Sequence, residues 1–134
     1  MRKKTKRNFK QIRKICHVHE AEINSVISNL LLNYDKRINP CLIKGYVTDG
    51  YRGRAYCKEN MFSVPLWAYN RGLDYFTYYT AHEISHIISW RRYKNNIHDA
   101  KFYEIFKELC PKDVQHFELH YKKQANVRYG VWGK

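Results

Sequence analysis

Two histidines four residues apart, with a glutamate beside the first, constrain this 134-residue chain more than any other stretch: His82-Glu83-Ile84-Ser85-His86. Positions four apart on an α-helix lie one above the other on the same face, so both imidazoles of a helical segment point the same way. Each can reach a metal ion at about 2.0–2.1 Å. Glu83 is turned by about 100° around the helix axis, which sets its carboxylate beside a water on such an ion rather than on the ion itself. His98, twelve positions after His86, is the candidate third ligand. A zinc site with three protein ligands and one open position is the catalytic form, whereas structural sites are closed by four. The constellation therefore predicts that His82, His86 and His98 hold Zn2+ and that Glu83 is the general base of a hydrolase, most simply a peptidase.

The bland alternative is a pair of surface histidines on a helix with no metal. The surrounding residues argue against it. Asp74 can cap a helix that starts there, and Phe76, Ile84, Ile87 and Ile88 form an apolar stripe at helical spacing. The metal helix is predicted over residues 74–93.

Length allows one domain of ordinary size, and a hydrophobic share of 44% is enough for a real core. No apolar run approaches 18 residues, so no membrane span is expected, and the basic N-terminus is not followed by a signal-type apolar segment. The expected location is the cytoplasm, associated with DNA if the basic groups bind it; the small size and the abundance of Lys, Asn, Ile and Tyr suit a phage-encoded protein acting in a host cell. Cys16, Cys41, Cys57 and Cys110 are widely spaced without a C-x-x-C pair, so reduced, mostly buried thiols are expected rather than a zinc ribbon.

The net charge of +13 is unevenly spread. Residues 1–14 carry Arg2, Lys3, Lys4, Lys6, Arg7, Lys10, Arg13 and Lys14 and no acid, and are read as a basic arm preceding a single domain over 15–134. Such an arm binds polyanions by counterion release, or else is a solubilising tail. Arg91, Arg92 and Lys94 follow the metal helix and are expected at the rim of the cleft, where they could hold nucleic acid near the site. Twelve tyrosines beside basic groups would suit stacking on unpaired bases, although most are better read as core or half-buried residues.

Along the chain, Ile23, Val26, Ile27, Leu30, Leu31 and Tyr34 recur at helical spacing and predict an amphipathic helix over 19–34, stopped by Asn39-Pro40. Short strands are predicted at 42–47, 54–57 and 61–64, with turns at Asp49-Gly50 and Lys58-Glu59-Asn60. Pro65 ends the third strand or marks it as an edge, and residues 61–66 are the candidate edge for pairing with an extended substrate. After the loop 94–97, a helix over 99–109 should turn Phe102, Tyr103, Ile105, Phe106 and Leu109 partly inward. Pro111 closes it, and 114–124 reads as another short helix.

With the residues placed, the segment 80–111 resembles the SprT-like zinc metalloproteases (the Spartan-related family), which show HExxH, about a dozen residues, a His-Gly-x-x-Phe segment and a later proline. Here the counterparts are His82-Glu83-Ile84-Ser85-His86, His98-Asp99-Ala100-Lys101-Phe102 and Pro111. The weaker resemblance extends over 19–111. It implies an α+β fold of minimal zincin-like type: an N-terminal helix, a small three-stranded antiparallel sheet, the metal helix and following helices. It also implies a peptidase acting on proteins, with DNA-bound proteins among the expected substrates; the chain is expected to be a monomer. Asp99 departs from the family's glycine; it can cap a helix or orient a neighbouring imidazole.

Tyr75, Tyr79 and Tyr93 fall near the metal-facing side by helical phase and are candidates for an oxyanion donor. His116 and His120 are also four apart but lack the following glutamate, and with Cys16-His17-Val18-His19 they are read as ordinary polar residues. Two other readings stay open. A deformylase-like site would take Cys41 as third ligand. A non-catalytic nucleic-acid-binding protein would close a structural zinc with a fourth protein ligand.

Overall fold

A computed structural model describes residues 14–95 and 97–132. The basic groups Arg2, Lys3, Lys4, Lys6 and Arg7 of the expected arm lie outside the described residues.

Helix α1, Glu20–Tyr34, forms where the 3.6-residue repeat predicts it and buries Ile23, Val26, Ile27, Leu30 and Leu31. Each such side chain contributes about 1.5–3 kcal/mol when fully withdrawn from water. Three strands follow: β1 (Lys44–Thr48), β2 (Arg54–Tyr56) and β3 (Met61–Pro65). The remaining helices are α2 (Leu66–Tyr69), α3 (Leu73–Tyr93), α4 (Ala100–Leu109) and α5 (Leu119–Tyr129). The fold is thus α+β, with five α-helices and a small sheet among the described residues.

The sheet departs from the antiparallel expectation. Its order is β1-β3-β2, and β3 runs parallel to β1 (Lys44 opposite Met61, Thr48 opposite Pro65) and antiparallel to β2 (Arg54 opposite Ser63, Tyr56 opposite Met61). It is a mixed sheet. The physical reason is that a tight turn returns the chain from β2 to β3, through a 3-10 turn at Cys57–Glu59 and Asn60 in the left-handed region (φ 56°), while the 49–53 loop carries β2 far enough out for β3 to insert beside β1. Residues 61–66 are therefore not an edge: β3 is the central strand, buried along its whole length.

The outer side of β1 is covered. Ile15 bridges Thr48, the Cys16 amide donates to the Val47 carbonyl (2.7 Å) and the Asp49 amide to the Lys14 carbonyl (3.0 Å). The open edge among the described residues is β2.

Helix α3 starts at Gly72 rather than at an Asp74 cap; Gly72 takes φ 111°, a conformation that favours glycine, and no side chain caps the helix. Phe76, Ala81, Ile84, Ile87 and Ile88 are buried on α3, and so are Thr80, Glu83, Ser85, His86 and Ser89. It is a central helix enclosed on most sides rather than an amphipathic surface one. Lys94, left-handed at φ 60°, ends it. On α4 the five expected residues, Phe102, Tyr103, Ile105, Phe106 and Leu109, are all buried. The short helix expected over 114–124 is in fact a 3-10 segment, Lys112–Glu118, running into α5.

Candidate metal centre

The buried helix α3 holds His82, Glu83 and His86, and the loop between α3 and α4 brings His98 to them. The Nε2 atom of His98 is 3.1 Å from Nε2 of His82 and 3.1 Å from Nε2 of His86. Two nitrogens bound at about 2.05 Å to a tetrahedral ion stand about 3.3 Å apart, so the spacing is that of ligands around one cation. The three residues form a group with every ligand atom within 4.8 Å of the others, and they could hold a metal ion.

Asp99 fixes the loop that carries His98. It is the N-cap of α4, with Oδ1 accepting from the Phe102 amide (3.0 Å) and Oδ2 from the Asn95 side chain (3.3 Å). Its backbone is extended, at φ −102° and ψ −173°, so no left-handed conformation requires glycine here. Both carboxylate oxygens are taken up by the loop, and the alternative role of orienting an imidazole falls to another residue.

That residue is Glu118, which belongs to no metal-binding motif in the sequence. Its Oε1 lies 2.8 Å from His82 Nδ1 and accepts a 2.6 Å hydrogen bond from the Tyr78 hydroxyl. Its side chain is 0% exposed. Burial alone would raise its carboxyl, but the attraction and hydrogen bonds of His82 and Tyr78 outweigh that and hold it below the usual range. An ionised Glu118 keeps a proton on His82 Nδ1, the tautomer whose Nε2 lone pair is available to a cation. Aromatic rings brace the other two imidazoles: Phe102 lies 4.5 Å from His86, and Tyr121 stacks on His98 at 4.4 Å with 23° between planes. Burial and the neighbouring His82 push His98 down to about 4, so its ring is neutral, as a ligand must be, at neutral pH.

Glu83 is 6% exposed and its carboxyl is pushed up to about 7, mainly by burial, with Glu118 adding to the rise and His82 opposing it. The donor set fits a divalent cation of borderline softness, such as zinc. Among the described residues no cysteine joins the cluster. Cys57, whose sulfur contacts the His86 carbonyl at 3.6 Å, has its thiol pushed up to about 11 by burial and by Glu83. Cys41 is exposed and lies apart from it.

The three histidines and Glu83 open into a cleft of about 880 Å³. One wall is β2 with the preceding Arg52 and Gly53; the other carries Trp67, Tyr75, Tyr79 and Tyr121. Of the oxyanion candidates, Tyr75 and Tyr79 line it, and Tyr93 stands elsewhere beneath Lys101. The Tyr79 hydroxyl accepts from the Gly53 amide (2.9 Å), and burial pushes it up to about 12. Arg91, Arg92 and Lys94 do not line the cleft; Arg92 packs 5.6 Å from the Tyr34 ring and Lys94 5.7 Å from the Trp90 ring. Among the described residues, the arginines that line the cleft are instead Arg52 and Arg54. His116 and His120 are exposed, and His17 and His19 sit 3.3 and 3.4 Å from Glu20 and Glu22; none belongs to a metal-binding group. A cavity of about 950 Å³ beside α1 and the end of α4 contains none of the three clustered histidines. No helix among the described residues is long and apolar enough to cross a membrane. No family model matches the chain, and neither a curated protein nor a solved structure matches it.

Proposed function

We propose that the chain is a zinc-dependent peptidase built on a minimal zincin-like domain of SprT-like type. The observation that carries this reading is the convergence of His82, His86 and His98, with two nitrogen separations of 3.1 Å, in a cleft that Glu83 also lines. A closed structural centre would need a fourth protein ligand, and among the described residues the cluster has three.

When bound, zinc supplies Lewis-acid polarisation of a scissile carbonyl and acidifies an attacking water. The chain supplies the rest. His82, His86 and His98 hold the ion, and Glu118 keeps His82 in the binding tautomer. Glu83 takes the proton of the attacking water and returns it to the leaving nitrogen. An affinity for protons near 7 suits a group that must both accept and donate one. The open edge β2 is where an extended substrate backbone would pair, in place of residues 61–66. Nucleic-acid contact through the arm residues Arg2, Lys3, Lys4, Lys6 and Arg7, and through Arg91, Arg92 and Lys94, would recruit the chain to its substrates.

The test is metal analysis of the purified chain together with casein cleavage, with and without single-stranded DNA. The expected result is one zinc per chain and cleavage that Glu83→Gln abolishes while zinc is retained. A Glu83→Gln chain that cleaves as well as the parent would overturn the reading.

A further inference from the structure

Residues 51–54 lead into β2, and Arg52, Gly53 and Arg54 among them line the cleft. The Trp67 indole donates to the Tyr51 carbonyl (2.7 Å), the Gly53 amide donates to the Tyr79 hydroxyl (2.9 Å), and the Arg54 amide donates to the Ser63 hydroxyl (3.2 Å). Three of four consecutive residues are thus pinned by side chains from α2, α3 and β3. At Gly53 the approach is so close that a Cβ would stand 2.4 Å from Tyr79 Cε1 and 2.7 Å from the Ser63 carbonyl oxygen, which only glycine avoids. Arg52 and Arg54 project from this fixed backbone. Both are exposed, both line the cleft that holds the histidines, and neither guanidinium has an acidic partner among the described residues. The only acid lining the same cleft is the buried Glu83. A rigid backbone presenting two unneutralised guanidiniums beside a reaction centre is suited to recognising carboxylates, which they can grip through two parallel hydrogen bonds.

We infer that Arg52 and Arg54 select peptide segments carrying acidic side chains next to the bond to be cut. This rests on the peptidase reading and names its substrate class. The backbone of such a segment would pair with the open edge of β2, and its acidic side chains would lie over Arg54 of the strand and Arg52 just before it. The guanidiniums are solvent-exposed, so the selectivity is moderate and salt-sensitive.

The test uses the full, zinc-loaded chain and quenched fluorescent peptides of one length that carry Glu, Gln or Lys on both sides of a common central bond. The same peptides are titrated by fluorescence anisotropy into the zinc-loaded Glu83→Gln chain, so that selection is read even if no bond breaks. The Glu peptide is expected to be favoured over the Gln peptide by about fivefold to tenfold, with the Lys peptide last and the differences shrinking as salt rises. Arg52→Gln with Arg54→Gln should flatten the order, and Arg52→Glu with Arg54→Glu should reverse it; circular dichroism confirms that each is folded. Equal treatment of the three peptides overturns the inference, as does an order that survives the double Gln variant. So does a single-stranded oligonucleotide that displaces the peptides and loses its hold in that variant, because the cleft would then belong to nucleic acid. Charge-ordered binding without cleavage leaves this inference standing and removes the peptidase reading; cleavage without charge order does the opposite.

Discussion

Glu118 and His82, 36 positions apart in the chain, meet at 2.8 Å with the carboxylate fully enclosed. The contact joins the 3-10 segment that precedes α5 to α3, so the C-terminal part of the fold is tied directly to a member of the histidine cluster. Glu118→Gln should keep the shape and an acceptor for the His82 N–H while losing the charge, and weaken zinc by about tenfold to a hundredfold. Glu118→Asp, which keeps the charge on a shorter arm, should recover part of that loss. Chelator competition gives the affinities. Unchanged zinc affinity in both variants would confine Glu118 to a packing role.

Glu118→Ala should do more harm than Glu118→Gln. It leaves the Tyr78 hydroxyl and His82 Nδ1 without their acceptor in a buried setting, at about 1–3 kcal/mol for each group. The thermal midpoint of the Ala variant should therefore fall below that of the Gln variant even in apo protein. Equal midpoints would contradict the hydrogen-bond account.

Removing the metal should cost stability by mass action. A ligand present at a thousand times its dissociation constant stabilises the folded state by about 4 kcal/mol. Chelation should lower the melting temperature of the parent chain and leave His98→Ala nearly unmoved, because that variant lacks one of the three converging nitrogens. Differential scanning fluorimetry with and without chelator reads this, and a parent chain insensitive to chelator would count against an occupied centre.

What the sequence made readable follows from which interactions are local. The repeat of Ile23, Val26, Ile27, Leu30 and Leu31 marks α1, and Phe102 to Leu109 marks α4, because a helix records its buried face within a few residues. The pairing of His82 with His86 is local in the same way; His98 needed only a short loop. The sheet was less legible. Whether β3 lies outside β2 or between β2 and β1 depends on a connection, not on any pattern within strands of three to five residues. Arg92 was misplaced because its direction is set by Tyr34 on another helix. Glu118 left one signal, an acid set between Phe117 and Leu119 in the stretch that also holds His116 and His120. The histidines draw attention there, yet they are exposed and the acid between them is 1% exposed.

Asp99 offers a direct check on the cap. Asp99→Ala removes the acceptor of the Phe102 amide and should destabilise by about 1 kcal/mol, whereas Asp99→Gly should cost only a few tenths. Because Asp99 adjoins His98, the Ala variant should also loosen zinc more than the Gly variant does. Denaturant titrations of apo protein separate the two effects, and an Ala variant as stable as the parent would remove the cap from the account.

The thiols provide a test of burial around the centre that needs no substrate. Thiolate is the reactive form. Burial first, then the charge of Glu83, pushes Cys57 up to about 11, and burial with Glu118 pushes Cys110 up to about 12. At pH 8 about one Cys57 in a thousand would be ionised even if reagent could reach it. Cys41 is exposed on the Pro40–Leu42 turn. Iodoacetamide labelling followed by peptide mass mapping should therefore modify Cys41 first and leave Cys57 and Cys110 protected until the chain is unfolded. Lowering the pH widens the gap between native and unfolded Cys57 no further, because both are then protonated; raising it towards 10 ionises unfolded Cys57 while the native thiol stays protonated. Folding stability contributed by the neutral buried thiol is thus lost as pH rises past the unfolded value, near 8.5. Rapid labelling of Cys57 in the native chain at pH 8 would place it in solvent and break its contact with the His86 carbonyl.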